Sequence, residues 1–242
     1  MRVAWARLRR WLHDHCPALC EVCGRWPDGP LCPDCRRDLA PLLPRCPGCA
    51  LPLAPGLQRC HTCEHQPPPW ETVVARVDFA HPWDAWIRAL KSTGQPGLAG
   101  ALAPLWLDDP AVPRLLERAD RWLPIPLAPA RLADRGYNQS WALMRALAAH
   151  TRVPPADAGV LQRAADAPVL HHLDRAARLA HAEHLFHVPA GAAARVQGRR
   201  VLIVDDVMTT GATLRAATRA LRQAGAAAVD ALVFARTPPP VE

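Results

Sequence analysis

The chain has 242 residues, half of them apolar, and a formal net charge of +7. This length fits one large domain or two small ones, and the apolar fraction is sufficient for a hydrophobic core. No apolar run reaches the roughly 18 to 20 residues of a membrane span. The charged segment 1–16 lacks the uninterrupted apolar stretch of a secretory signal. We therefore expect a cytoplasmic protein with no membrane span.

Eight of the nine cysteines form four C-x-x-C pairs in the first 63 residues. Each pair directs two thiolates at one point, and two pairs complete a tetrahedral zinc site. A disulfide framework would need an oxidising compartment, and a redox C-x-x-C is normally single. The pattern therefore predicts two structural zinc ions, and the spacing leaves open whether neighbouring pairs share a metal or the pairs interleave. The predicted ligands are Cys20, Cys23, Cys32, Cys35, Cys46, Cys49, Cys60 and Cys63.

The positive charge suggests a polyanionic partner, but the formal value counts every cysteine as neutral. Eight thiolates and two zinc ions together contribute about −4, which leaves a net charge of about +3. This value is compatible with nucleic-acid binding and does not argue for it. Lys91 is the only lysine among 29 basic residues. Coding bias explains this, or else position 91 requires a compact ammonium group.

The sequence QPPPW at 66–70 predicts a stiff linker, after which cysteine disappears. We therefore expect an N-terminal helix and a double zinc ribbon in residues 1–66, and a second domain in residues 67–242. In the second domain, apolar runs alternate with helical patterns, which predicts an α/β domain with a parallel sheet. The predicted strands are 72–79, 122–127, 201–204 and 229–235, and the predicted helices are 83–90, 140–150 and 211–224.

The segment VLIVDDVMTTGATL at 201–214 joins a buried strand to a helix through two carboxylates and a turn rich in hydroxyl groups. The helix start and the outward N–H groups of such a turn attract a phosphate, and Gly211 allows close approach. Neither a Walker loop nor a dinucleotide fingerprint is present. The turn at 209–213 is therefore predicted to bind a monophosphate. Asp205 and Asp206 would then bind vicinal hydroxyls or a hydrated Mg²⁺.

This segment closely resembles the binding signature for 5-phosphoribosyl-1-diphosphate (PRPP) in type I phosphoribosyltransferases. The whole chain resembles the ComF family, which joins a cysteine-rich zinc segment to such a domain, and it is most similar to the GntX branch. The resemblance rests on motifs that occur in the family's order over nearly the full length. They are the four C-x-x-C pairs, the PPPW linker, Leu90-Lys91, residues 123–127, the Arg135–Gln139 segment and the 204–213 loop.

The resemblance implies a phosphoribosyltransferase fold, with helices on both faces of the parallel sheet, and a role for each motif. Asp205, Asp206 and Lys91 would be the catalytic residues, with the two carboxylates on the ribose hydroxyls. Mg²⁺ would accompany PRPP as a cofactor. The residues implied in PRPP binding are Asp205, Asp206, Thr209, Thr210, Gly211, Ala212, Thr213, Arg131, Arg135 and Pro126.

Two functions remain open at this stage. The first is transfer of a phosphoribosyl group from PRPP to an unidentified acceptor. The second follows from the family's link to DNA uptake in natural transformation: the chain would handle single-stranded DNA, alone or with competence helicase machinery, and its PRPP site would be vestigial or regulatory. The segment 170–186 departs from the family pattern, with Leu170 and His181 where the family has Gln and Asn, while Arg178 is retained.

Overall fold

The computed structural model describes residues 19–25, 31–92, 94–151, 157–164 and 185–239. The predicted N-terminal helix, Leu170, Arg178 and His181 lie outside these residues. The chain divides into two compact units between Pro41 and Leu42. The first two C-x-x-C pairs belong to the smaller unit. The last two pairs belong to the larger unit, which also contains the sheet. The assignment of domains to 1–66 and 67–242 stays a prediction.

Four parallel strands form the main sheet of the larger unit. The strands in chain order are β1 (Val73–Asp78), β2 (Arg121–Pro124), β3 (Gln162–Arg163), β4 (Phe186–His187), β5 (Arg200–Met208) and β6 (Ala228–Arg236). Their order in the sheet is β1-β6-β5-β2, and each neighbouring pair is parallel. The strands β3 and β4 form a separate antiparallel pair. The predicted parallel sheet is confirmed.

Helices connect these strands, and a short helix also contains the last cysteine of each group of two C-x-x-C pairs. They are α1 (Pro33–Leu39), α2 (His61–His65), α3 (Trp83–Ser92), α4 (Leu98–Trp106), α5 (Ala111–Glu117), α6 (Pro129–Arg135), α7 (Gln139–Ala148) and α8 (Ala212–Gln223), with a 3-10 helix at Ala190–Arg195. The predicted helices correspond to α3, α7 and α8. The helices α4, α5 and α6 were not predicted, and a proline lies within α4 at Pro104.

Helices cover both faces of the sheet, which explains why its strands are almost uniformly apolar. Because neighbouring strand residues point to opposite faces, Val233 and Phe234 sample both sides of β6. Val233 lies in the apolar cluster that includes Leu214 of α8. Phe234 contacts Trp83 of α3 and Trp106 of α4, each with ring centroids 5.8 Å apart. The central strands are therefore buried on both sides, as in other parallel sheets.

The second cysteine segment contacts both ends of β1, the edge strand. The Val73 N–H donates to the Pro47 carbonyl at 2.8 Å, and the Arg45 guanidinium donates to the Asp78 carboxylate at 2.7 Å. Arg45 also donates to the Ala50 carbonyl. An uncovered edge strand would present unpaired backbone groups to other chains. The segment 45–50 thus covers this edge of the sheet at the two ends of β1.

Candidate functional site

The eight predicted zinc ligands form two groups of four. In each group all four Sγ atoms lie within 4.8 Å of one another. Cys20, Cys23, Cys32 and Cys35 form cluster I; Cys46, Cys49, Cys60 and Cys63 form cluster II. Neighbouring pairs therefore share a site, which settles the alternative that the spacing left open. Both donor sets could hold a tetrahedral zinc ion.

The local chemistry of the thiols fits a metal of this kind. Burial raises the pKa of the Cys20 thiol, but N–H groups of Cys32, Cys23 and Val22 donate to it and bring its pKa down to about 6. Burial and the neighbouring sulfurs instead raise the pKa of Cys35. In cluster II, for similar reasons, the pKa of the first thiol is lowered to about 7 and that of the last is raised. One thiolate thus forms readily in each cluster, and a bound dication would compensate the charge of the others.

The paired carboxylates lie within β5 rather than after it. The sequence placed the end of the strand at Val204, whereas pairing with β6 continues to Met208, opposite Arg236. Asp205 and Asp206 are 7% and 3% exposed. The physical reason is that parallel pairing with the long strand β6 satisfies the backbone of these polar residues, so the strand does not end where apolar residues end.

Asp205 has an unusually high pKa, raised to about 7, because it is buried and lies next to the charge of Asp206. Donation from the Ser140 hydroxyl at 2.9 Å and from the Asp206 N–H at 2.9 Å opposes this rise. The charge of Lys91 opposes it as well. Burial thus favours the protonated form of Asp205 well above the ordinary range of a carboxyl.

Lys91 and Asp206 form an ion pair, with 3.0 Å between Nζ and Oδ1. The second carboxylate oxygen of Asp206, Oδ2, is buried and has no hydrogen-bond partner among the described residues. A buried acceptor of this kind is costly unless something else binds it. Carboxylate oxygen is also the donor that Mg²⁺ prefers. The residues present therefore fit a hydrated Mg²⁺ or a pair of hydroxyl groups.

Lys91 also lines a cavity of about 500 Å³ whose other charged residues are Arg131, Asp134 and Arg135. Three cations and one carboxylate give the cavity a positive field that favours a multiply charged anion. The structure thus brings together Lys91, Arg131 and Arg135, which the family resemblance had grouped on other grounds.

The turn after β5 contains a glycine in the left-handed region of backbone conformation. Gly211 has φ of +80°, and a Cβ at this position would lie 2.8 Å from the Met208 side chain. Thr209 and Thr210 are exposed, and α8 begins at Ala212. Within the described residues, this turn contacts Trp70 and Arg236 rather than Arg131 or Arg135.

The comparisons with known proteins agree with this geometry. The phosphoribosyl transferase domain family matches residues 167–240. The chain is 33% identical over 225 residues to the DNA utilization protein YhgH of Salmonella typhimurium, with 90% of each chain covered. It is 32% identical over 224 residues to the protein of that name in Escherichia coli K12, again with 90% of each covered. The chain belongs to the ComF family.

A more distant ComF relative is the Competence protein F of Haemophilus influenzae. It is 27% identical over 177 residues, which cover 72% of this chain and 76% of the relative. The resemblance in sequence is thus confirmed, as is the combination of a phosphoribosyltransferase-type domain with two four-cysteine clusters. Among the helices that the structure describes, none combines the length and the apolar composition needed to cross a membrane.

Residues 137–140 of this ComF protein hold the candidate site together, although the sequence assigned them no individual role. Tyr137 donates to the Leu90 carbonyl, next to Lys91. The Asn138 amide donates to the Ile125 carbonyl at 2.8 Å, and its oxygen caps α7. Ser140 donates to Asp205. Asn138 thereby fixes the loop that contains Pro126, and the quoted Arg135–Gln139 motif was the one signal that pointed here.

Proposed function

We propose that this ComF protein binds PRPP with Mg²⁺ through residues 205–213 and transfers its phosphoribosyl group to an acceptor whose identity is open. The observation that carries this proposal is the ion pair between Lys91 and the buried Asp206, at the edge of a cationic cavity. Lys91 can bind an anionic group, and the unpartnered Oδ2 of Asp206 can accept from a hydroxyl group. Together they suit a ligand that is anionic at one end and rich in hydroxyl groups at the other.

Each part of the site has a role in this proposal. The 5′-phosphate binds the turn formed by Thr209, Thr210, Gly211, Ala212 and Thr213. Asp205 and Asp206 bind the ribose hydroxyls, while Arg131, Arg135 and the Pro126 loop bind the diphosphate. Lys91 neutralises Asp206 in the free protein, and we expect it to move to the diphosphate when hydroxyl groups occupy the carboxylate.

The reaction is a substitution at C1 of the ribose. A nucleophilic atom of the acceptor forms a bond to C1, the bond from C1 to the diphosphate oxygen breaks, and pyrophosphate leaves with the electron pair. The carboxylates of Asp205 and Asp206 stabilise the positive charge that develops on the ring. Mg²⁺, when bound, adds charge compensation for the leaving diphosphate. Zinc in clusters I and II would be structural, and reduced thiols of this kind favour a cytoplasmic setting.

Calorimetric titration of PRPP into the zinc-loaded chain, with and without Mg²⁺, tests the proposal. The decisive variant is Asp205→Asn/Asp206→Asn, which keeps the shape of both side chains and removes their charge. We expect wild type to bind PRPP in the presence of Mg²⁺, and the variant to lose at least about 100-fold in affinity, since two charge-assisted contacts disappear.

The matched control is Asp120→Asn, which removes a half-exposed carboxylate at the opposite end of β5. It should bind PRPP like wild type. Equal affinity in wild type and the double variant would reject the assignment of Asp205 and Asp206. No binding to folded, zinc-loaded wild type would reject PRPP as the ligand.

A second candidate function is the handling of single-stranded DNA. It is favoured by the names of the relatives, DNA utilization protein and Competence protein F, and by the three cationic side chains that line the cavity. Under this proposal the chain acts alone or with a competence helicase, and the PRPP site is regulatory or vestigial. The cationic cavity around Arg131 and Arg135 is the surface that we propose for contact with the strand.

Salt dependence of DNA binding tests this candidate. An electrostatic contact with several phosphates should weaken steeply as salt rises, with a slope of about −0.7 per neutralised phosphate for a single strand. The variant Arg131→Gln/Arg135→Gln should reduce the magnitude of that slope by about 1.4, or about 0.7 for each lost phosphate contact. Arg195→Gln/Arg199→Gln, at two exposed arginines elsewhere, is the control. A salt-independent signal would remove direct DNA binding.

A further inference from the structure

Cluster II and the turn that follows β5 are joined by two buried side chains. Arg236, at the end of β6, is 8% exposed, and Trp70 is 5% exposed. Each of them donates to a carbonyl of the Cys46–Cys49 knuckle, and each also contacts the turn. The sequence had predicted that residues 66–70 form a linker, so the burial of Trp70 was unexpected.

Arg236 joins carbonyl groups on both sides. Its Nε donates to the Cys49 carbonyl at 2.7 Å. Its Nη1 donates to the Met208 carbonyl at 3.1 Å, and also to the Thr209 and Thr237 carbonyls. Guanidinium is the side chain whose several fixed donors suit such an arrangement, and the shorter ammonium of lysine is not an equivalent.

The bonds from Arg236 orient the turn for an anion. In a planar trans peptide, the carbonyl and the following N–H point in opposite directions. Since the Met208 and Thr209 carbonyls point to Arg236, the N–H groups of Thr209 and Thr210 point away from it. Neither N–H donates to another backbone group among the described residues. These are two of the donors that a phosphate would use.

Trp70 makes the second connection. Its Nε1 donates to the Gly48 carbonyl at 2.9 Å, and its ring lies 3.2 Å from the position of a Cβ on Gly211. The guanidinium of Arg215, in the first turn of α8, lies 5.6 Å from the centre of the ring. The ring therefore packs between the knuckle and the start of α8.

From these contacts we propose that Arg236 and Trp70 are positioning residues that make the phosphate-binding turn depend on cluster II being intact, and not on cluster I. This inference rests on the proposed function for its ligand, PRPP. It concerns how the turn is held, and so it can be tested without that ligand as well. The knuckle carbonyls keep their places only while the four thiolates of cluster II are bound to one metal.

The first test compares one cysteine in each cluster. Cys32 and Cys60 are the third cysteines of clusters I and II, and both occupy the N-cap of the following helix. Cys32→Ser and Cys60→Ser should each reduce the bound zinc from two ions to one. Hydrogen exchange at Arg215 and Thr237, whose N–H groups donate to the Gly211 and Met208 carbonyls of the turn, should accelerate at least fivefold in Cys60→Ser alone. PRPP affinity should fall by at least about fivefold in that variant, the lower end of typical coupling between sites.

Cys32→Ser should leave both quantities within about twofold of wild type, since no coupling is expected. Equal effects of the two variants, or none from Cys60→Ser, would overturn the proposal. If wild type itself fails to bind PRPP, the proposed function fails, while the hydrogen-exchange comparison still decides this inference.

A second pair of variants tests the same proposal with smaller changes, in case a cysteine variant does not fold. Trp70→Phe and Trp106→Phe each keep an aromatic ring and each lose one indole hydrogen bond of 2.9 Å to a buried carbonyl. Their melting temperatures should fall by similar amounts. Only Trp70→Phe should weaken PRPP binding and accelerate exchange at the Arg215 and Thr237 amides that bond to the turn. Similar PRPP affinities in the two variants would show that Trp70 supports the fold alone.

Discussion

At the scale of single residues, the central feature is a pair of adjacent buried carboxylates, one of which forms an ion pair with a lysine. Lys91 compensates Asp206 directly. Among the residues that the structure describes, the hydrogen-bond donors to Asp205 are neutral: the Ser140 hydroxyl and the Asp206 N–H. A second negative charge in a buried site is costly, which is why the pKa of Asp205 is raised.

We predict that the ligand-free Asp205→Asn variant becomes more stable relative to wild type as pH rises. The carboxyl is protonated in both states below its ordinary pKa of 3.8, and the folded state holds the proton up to about pH 7. The folded state therefore binds more protons between these values, so the unfolding free energy of wild type falls across that window. The variant should gain up to about 4 kcal/mol relative to wild type above pH 7.

Urea denaturation at about pH 5 and about pH 8, without ligand, measures the part of this change that falls between those values, about 3 kcal/mol. The half-exposed Asp120 provides the control, and Asp120→Asn should not become stabilising as pH rises. A constant difference between wild type and Asp205→Asn over this range would contradict the raised pKa.

The sequence predicted some residues of the site and missed others. Asp205, Asp206 and Gly211 were predicted because they lie within one short segment whose residue types indicate ligand binding. Ser140 and Arg236 were missed, since their roles depend on contacts 65 and 27 to 28 residues away along the chain. Such distant contacts leave no periodicity or spacing in the sequence.

At the scale of elements, the turn between β5 and α8 is defined by close packing as well as by dihedral angles. Gly211 has a positive φ, and its missing Cβ leaves room for Met208 and Trp70. The terminal methyl of Met208 can move, but the ring of Trp70 is held by its hydrogen bond to Gly48. A side chain at position 211 would therefore displace α8 or the ring.

We predict that Gly211→Ala destabilises the protein by about 2–3 kcal/mol, through backbone strain of about 1–2 kcal/mol together with the clash. Gly198→Ala isolates the strain, because Gly198 also has a positive φ, +68°, but no heavy atom lies within 4 Å of the Cβ position. It should cost only about 1 kcal/mol. Chemical denaturation compares the two variants, and equal losses would argue against the close contact.

The elements themselves were predictable to different degrees. The strands β1, β5 and β6 and the helix α8 have clear apolar patterns and were predicted within a few residues. The helix α4 contains Pro104 and two glycines precede or open it, so its pattern is weak, and packing on the sheet stabilises it instead. Trp70 follows three prolines that favour an extended linker, yet a contact 22 residues back buries it.

At the scale of the whole molecule, cluster II is part of the unit that contains the sheet, whereas cluster I is part of the smaller unit. The bond from Arg45 to Asp78, and the bonds from Trp70 and Arg236 to the knuckle, connect cluster II to the sheet. The two clusters are chemically alike, so this difference arises from packing alone.

We predict that a strong chelator removes two zinc ions per chain and lowers the main melting temperature. Each kcal/mol of lost stability should lower it by about 2–4 °C in a protein of this size. Calorimetric scans before and after chelation measure the change, and chelator saturated with zinc is the control. An unchanged main transition after zinc release would mean that the knuckle packs on β1 without supporting it.

The strand order has a consequence for synthesis of the chain. The strand β6 is the last described strand to be translated, yet it lies between β1 and β5. Until β6 has been synthesised, β1 has no partner strand in the sheet and one side of β5 is unpaired. Such edges are prone to pair with other chains. A nascent chain arrested before residue 228 would therefore present two exposed edges to chaperones and proteases, and a premature stop there should yield aggregate or degradation rather than a smaller folded protein.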